Sequence, residues 1–158
     1  RIGRNGQLFR CYKFRTMAVD AEQRLADLLA NDPEARREWA TMRKLTRDPR
    51  ITAAGRFLRL SSLDELPQLF NVLRGEMSVV GPRPIVSSEG EMYGRYIHDY
   101  CRVKPGLTGM WQVSGRNGTT YRRRVALDVY YSRHANLGLD LQIILKTIPA
   151  VLKADGVY

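Results

Sequence analysis

From Ser61 to Pro84 the chain reads SSLDELPQLFNVLRGEMSVVGPRP, and the three prolines in this stretch leave its backbone few choices. Proline has no N–H to give a helix, so Pro67 is tolerated only near a helix start. With Ser62 as N-cap, in a capping box with Glu65, Pro67 falls at the fifth helical position and loses a hydrogen bond. With Asp64 as N-cap it falls at the third, where no donor is needed. The spacing therefore predicts a helix that begins on Asp64. Leu66, Leu69, Phe70 and Leu73 recur at helical spacing, and Gly75 stands where a helix stops. Met77 to Val80 reads as a short strand, followed by the stiff connector Gly81-Pro82-Arg83-Pro84.

This framework singles out the side chains with chemistry. Asp64, at the positive end of a helix, lies where an anion is favoured and a phosphate can approach. Neighbouring carboxylates can divide labour, Asp64 attacking and Glu65 holding a metal, although a plain helix cap accounts for the same residues. Arg83, clamped between prolines, offers a planar fork for phosphate on a backbone with little freedom; the alternative is an ordinary surface turn. Arg116, within Ser114-Gly115-Arg116-Asn117-Gly118, stands in a similar glycine-bordered context. Lys13 and Arg15 alternate in the extended-looking run Gln7–Arg15, which would turn both to one face. Trp111 reads as core rather than as a stacking platform.

Elsewhere the pattern is helical. Leu25, Leu28 and Leu29 share a face before Asp32-Pro33 restarts the chain. Glu34 to Leu45 carries Trp39 and Met42, and residues 51–60 form a basic amphipathic helix. Helices are also predicted over 87–102, 120–135 and 139–153, the last interrupted by Pro149. Asn5-Gly6 is a hairpin turn, but the strand expected before it is nearly missing and the first residue is Arg. Both features suggest a chain cut from a longer one. The fold expected is α+β: one α-rich domain over residues 1–158, with a small hairpin, short strands and amphipathic interfacial helices.

Charge narrows the partner. The net charge is +10, shared equally between residues 1–50 and 51–158, and 21 of the 26 cations are Arg. An even basic excess suits a folded domain facing nucleic acid, a phosphorylated substrate or an acidic membrane surface. Cys11 and Cys101 read as reduced thiols, and no spacing joins His98 and His134 into a metal site.

KFRTM at 13–17, DPRIT at 48–52, GRFLR at 55–59, the block 62–84, VKPGLTGMWQVSGRN at 103–117 and LDLQIILKT at 139–147 occur in order. In these motifs the chain closely resembles the bacterial sugar transferases, the monotopic polyprenyl-phosphate glycosyl-1-phosphate transferases of surface-polysaccharide assembly. The resemblance implies transfer of a sugar 1-phosphate from a UDP-sugar, of the glucose or galactose type, to undecaprenyl phosphate at the cytoplasmic membrane face. It implies Asp64 as nucleophile, Glu65 as the residue assisting Mg²⁺, and Lys13, Arg59, Arg83 and Arg116 around the phosphates; Arg15 joins the candidate substrate-binding residues through its alternation with Lys13. The basic surface and the helix over 51–60, with Arg56 and Arg59 beside Phe57, Leu58 and Leu60, suit contact with anionic membrane lipid, whereas 139–153 reads equally as a core helix. The resemblance leaves room for a homo-oligomer and implies a membrane-entering N-terminal helix ahead of residue 1. Leu60 departs from the pattern, standing where many members have a second Arg. A nucleic-acid-binding module accounts for the charge but not for a carboxylate pair beside a proline-clamped Arg, and no nucleic acid is expected as partner. A catalytically idle membrane scaffold fits poorly with intact enzyme motifs.

Overall fold

The computed structural model describes residues 1–42, 45–115 and 120–152, which are helix-rich α+β as expected. They form two compact units.

The unit Phe14–Asp64 holds three helices, α1 (Ala21–Asn31), α2 (Pro33–Met42) and α3 (Ala53–Leu60). Asp32 caps α2, its Oδ1 accepting from the N–H groups of Glu34 and Ala35 at 2.9 and 3.0 Å. The turn before α3 is locked by Asp48, whose two carboxylate oxygens accept from Arg50 at 2.8 and 2.7 Å. Burial works against the Asp48 anion, but the Arg50 hydrogen bonds outweigh it and hold the carboxyl below its usual range. The Arg50 guanidinium lies 4.8 Å from the centre of the Trp39 ring. Thr52 caps α3, accepting from Gly55 N–H at 2.9 Å. A Cβ on Gly55 would stand 2.0 Å from the Thr16 carbonyl oxygen, so only glycine lets α3 lie on that strand-like segment.

The second unit contains Arg1–Lys13 and the described residues from Glu65 onward. Its N-terminal turn is the predicted one. Asn5 and Gly6 adopt positive φ, and Ile2 bridges both Leu8 and Ile85. Next come α4 (Gln68–Leu73), β1 (Ser78–Val80), α5 (Ser87–Tyr93) and α6 (Ile97–Cys101), then β2 (Gly106–Thr108), α7 (Tyr121–His134) and α8 (Leu137–Leu152). Gly94, at φ 51°, interrupts the single helix expected over 87–102. β2 pairs parallel to β1, Ser78 opposite Gly106 and Val80 opposite Thr108. A three-residue strand is too short to show an alternating pattern.

One core cluster gathers Ile85, Tyr93, Tyr100, Val125 and Val129; another gathers Val80, Tyr131 and Ile143. The first encloses a carboxyl group. Asp128, whose side chain is 1% exposed, accepts from the Tyr93 hydroxyl at 2.7 Å and stands 4.0 Å from Arg124 Nε. Arg124 is itself stacked between the Trp111 and Tyr121 rings, 4.9 and 5.1 Å from their centres. Burial pushes the Asp128 carboxyl up to about 6, against the hydrogen bond from Tyr93 and the charge of Arg124.

Between its unfolded value of 3.8 and about 6, the folded chain holds a proton on Asp128 that the unfolded chain has released. The contribution of this group to stability therefore falls as pH rises through that window and is level above it. Two pKa units correspond to about 3 kcal/mol. Asp128→Asn removes the titration while keeping an acceptor for Tyr93. In urea titrations, the unfolding free energy of the wild type minus that of the variant should drop by roughly 2–3 kcal/mol between pH 4 and pH 6.5. A difference that stays flat with pH would refute the assignment.

Candidate active site

The Asp64-Glu65 pair is not set in the helix start that the spacing predicts. Ser62 takes the left-handed conformation, at φ 57°, and terminates α3. Leu63–Glu65 then forms a 3₁₀ turn, and α4 opens only at Gln68 with Pro67 as its uncapped N-terminal neighbour. Asp64 is therefore not a helix cap. The positive end of a helix does not account for its environment, since that effect fades within the first turn. Asp64 is instead 3% exposed, and its carbonyl oxygen accepts from Phe14 N–H at 2.9 Å.

Glu65 gathers the charges. Its Oε1 lies 3.3 Å from Lys13 Nζ and 3.3 Å from Arg83 Nη1. All three side chains are partly open to solvent, Glu65 at 24% and each cation at 39%. Three of the residues selected from sequence thus meet at one carboxylate oxygen. Both distances are longer than those of tight charge-assisted hydrogen bonds, which leaves the partly exposed cations able to engage an incoming anion. Among the described residues there is no group of three metal-ligating side chains. Glu65 keeps Oε2 outside both ion pairs, and that donor set fits Mg²⁺ bound by one carboxylate with substrate phosphates and water completing its shell.

Two buried polar side chains, neither evident from the sequence, hold this arrangement. Asn71 is fully buried on α4; its Oδ1 accepts from Tyr12 N–H at 3.0 Å and its Nδ2 donates to the Arg10 carbonyl at 2.7 Å. It fastens the segment that ends in Lys13. Its only signal in the sequence is that, with Gln68, it lies off the apolar stripe Leu66, Leu69, Phe70 and Leu73. Tyr100, 1% exposed, accepts from Ile85 N–H at 3.3 Å, while its hydroxyl hydrogen faces the carbonyls of Ile2 and Arg83 at 3.0 and 3.3 Å. Two prolines deprive the Arg83 loop of its own donors, and Tyr100 supplies one from outside. The loop is secured further by Gly81 N–H to the Thr108 carbonyl and Gly106 N–H to the Pro82 carbonyl, both 2.9 Å.

The other predicted cations are placed differently. Arg59 belongs to the Phe14–Asp64 unit and donates through Nε to Thr16 Oγ1 at 2.9 Å. Arg15, in that same unit, is exposed and lines a shallow recess with Met17 to Gln23. No strand forms over 13–15, so the alternation expected to align Lys13 with Arg15 does not exist; the nearest bridge joins Met17 to Ile51. Arg116 lies outside the described residues. Trp111 is half-buried, with the Arg124 guanidinium over its ring. Cys11 is no rival nucleophile: burial pushes its thiol up, outweighing the opposing charge of Arg1.

Comparison with known proteins matches residues 1–154 to the family described as bacterial sugar transferase. The undecaprenyl-phosphate galactose phosphotransferase of Salmonella typhimurium is 56% identical over 158 residues, all of this chain and 33% of that protein. The UDP-galactose-lipid carrier transferase of Erwinia amylovora is 52% identical over the whole chain and 33% of its own length. The exopolysaccharide production protein ExoY of Sinorhizobium fredii is also 52% identical, with 70% of its length covered. The chain thus spans about a third of the first two relatives.

The Tyr100 clamp is testable without substrate. Tyr100→Phe keeps the ring, which packs edge-on to Tyr93 at 5.3 Å, and leaves the buried Ile85 N–H without its acceptor. An unsatisfied buried donor costs about 1–3 kcal/mol. Chemical denaturation should show a loss of that size, together with faster hydrogen exchange at Ile85. Unchanged stability and exchange would mean that Tyr100 does not hold the loop.

Proposed function

Because the chain belongs to the bacterial sugar transferase family, we propose that it is the catalytic part of an enzyme that moves a sugar 1-phosphate from a UDP-sugar to undecaprenyl phosphate, releasing UMP. The observation that carries this reading is the meeting of Lys13 and Arg83 on Glu65 Oε1, one peptide bond from the buried Asp64. Galactose 1-phosphate is the first choice of transferred group, since two relatives at 52–56% identity are named for galactose transfer; glucose 1-phosphate is the alternative, from a Caulobacter vibrioides relative 45% identical over 119 residues.

In the proposed mechanism an Asp64 carboxylate oxygen attacks the phosphorus next to the sugar. A new P–O bond forms to Asp64, the bond to the bridging oxygen breaks, and that oxygen leaves with UMP. An oxygen of the polyprenyl phosphate then attacks the same phosphorus, the acyl-phosphate bond breaks, and the carboxylate is restored. Both steps bring an anion toward an anion, so positive charge must be in place beforehand. Lys13 and Arg83 supply it, Arg83 through a fork held rigid by its prolines and Tyr100. Mg²⁺, when bound at Glu65 and the donor phosphates, would neutralise further charge on the diphosphate. Arg116 is assigned to the same diphosphate and Arg59 to a phosphate contact in its own unit.

The reaction belongs at a membrane. Among the described residues no helix is long and apolar enough to cross one. Apolar side chains nevertheless face outward on α3 and α8: Phe57 is 64% exposed, and Leu141, Leu145 and Ile148 are each more than half exposed. Basic residues beside such faces suit an interfacial position on anionic lipid at the cytoplasmic face of the bacterial inner membrane.

Incubated with labelled UDP-galactose and no acceptor, the enzyme should retain sugar 1-phosphate on Asp64, located by mass spectrometry, with release of UMP. Asp64→Asn should abolish the adduct and lower turnover by orders of magnitude while donor binding survives. UMP that appears only with both substrates present, with no adduct, would establish direct transfer instead.

Flotation with liposomes tests the membrane contact. Recovery of the chain with anionic vesicles should exceed that with neutral vesicles and decline as salt rises. Equal recovery with both would remove the electrostatic part of the proposal.

A further inference from the structure

Arg59 lines a recess of about 290 Å³ wholly within the Phe14–Asp64 unit. Two further arginines, Arg47 and Arg56, border this recess, with Ile51 and Leu60 as apolar wall. Its one carboxylate, Asp48, is already held by both Arg50 contacts and adds no open negative charge. Among the described residues, no ion pair joins Arg47 or Arg56 to a carboxylate. Arg59 is braced through Nε on Thr16, which aims its guanidinium without consuming the terminal nitrogens. The recess is thus bordered by three arginines against one acid paired with Arg50 and a second, Glu38, tied to Thr46, a surplus of positive charge suited to a phosphate monoester.

The surroundings specify what the phosphate is attached to. Arg56 and Arg59 lie on α3, which also carries Phe57 and Leu60, 64% and 40% exposed. A ligand whose anionic head enters the recess would find apolar surface on the same helix for a hydrocarbon tail, whereas a nucleotide would bring a polar base and ribose to it. Thr46, at the rim, donates through its N–H and its hydroxyl to Glu38 Oε1, so that carboxylate stands beside the recess and is held away from the arginines.

We infer that the recess bordered by Arg47, Arg56 and Arg59 is the binding site for the phosphate head of the isoprenoid acceptor, with its chain laid along Phe57 and Leu60. This inference rests on the proposed transferase reaction, in which the acceptor phosphate attacks the phosphorus carried by Asp64, a residue of the same unit as the recess.

The test is steady-state kinetics of UMP release in neutral detergent micelles free of phospholipid, with both substrates varied, on Arg47→Gln and Arg56→Gln. Both residues are exposed, so their folding should survive; circular dichroism provides the control. The KM for polyprenyl phosphate should rise at least tenfold in each, with the KM for the UDP-sugar within twofold of wild type. Inorganic phosphate should inhibit wild type competitively against the acceptor, and farnesyl phosphate more strongly than either inorganic phosphate or farnesol. Thr46→Glu, which places a carboxylate at the rim, should also raise the acceptor KM. An unchanged acceptor KM in active variants would overturn the recess assignment alone, and a raised donor KM would reassign it to the donor. A defect that emerges only when phosphatidylglycerol vesicles are added would assign it to bulk lipid and also overturn it. Wild type that releases no UMP with any UDP-sugar and acceptor would instead overturn the transferase reading itself.

Discussion

Where β1 meets β2, the backbones run so close that side chains have no room. A Cβ on Gly106 would stand 2.1 Å from Gly81 N, one on Gly109 would stand 2.1 Å from Gly81 O, and one on Gly81 would stand 2.4 Å from the Lys104 carbonyl oxygen. These glycines permit two three-residue strands to pair in parallel, a short and otherwise weak association. The direction of the chain after Val80 depends on that contact, because Gly81 leads directly into the proline-clamped Arg83. Any side chain at these positions would move the loop, and with it the guanidinium that reaches Glu65.

The polar groups in this interior serve the backbone. Asn71 accepts and donates to the peptide groups of Tyr12 and Arg10, and Tyr100 joins Ile2, Arg83 and Ile85. Burying polar atoms is costly unless each finds a partner, and here the partners are segments with few hydrogen bonds of their own. The result is a half-exposed charged cluster on a fully buried support. Such a support lets Lys13 and Arg83 stand close to one carboxylate oxygen while remaining partly open to solvent.

α4 reverses the expectation its pattern creates. Leu66, Leu69, Phe70 and Leu73 recur as a core stripe would, yet all four are exposed, Leu73 by 83%, while Gln68 and Asn71 are buried. The helix is six residues long and turns its polar side chains inward because the N-terminal segment needs hydrogen bonds there.

The sequence by itself determined the features that depend on a few consecutive residues. These include the Asn5-Gly6 turn, the helices with uninterrupted periodicity, the stop at Gly75 and the rigidity around Arg83, each set by local backbone sterics or by 3.6-residue spacing. Lys13, Glu65 and Arg83 were also legible as chemical candidates. Tertiary structure alone decided which of them meet, since Lys13 and Glu65 are 52 residues apart and Arg83 a further 18. It also decided the pairing of β2, the inward face of α4, and the burial of Asp64 in a 3₁₀ turn rather than at a helix cap. A periodic pattern states that a helix has a face but not which side the rest of the chain will cover. Pairing between distant segments is set by contacts that no local window contains.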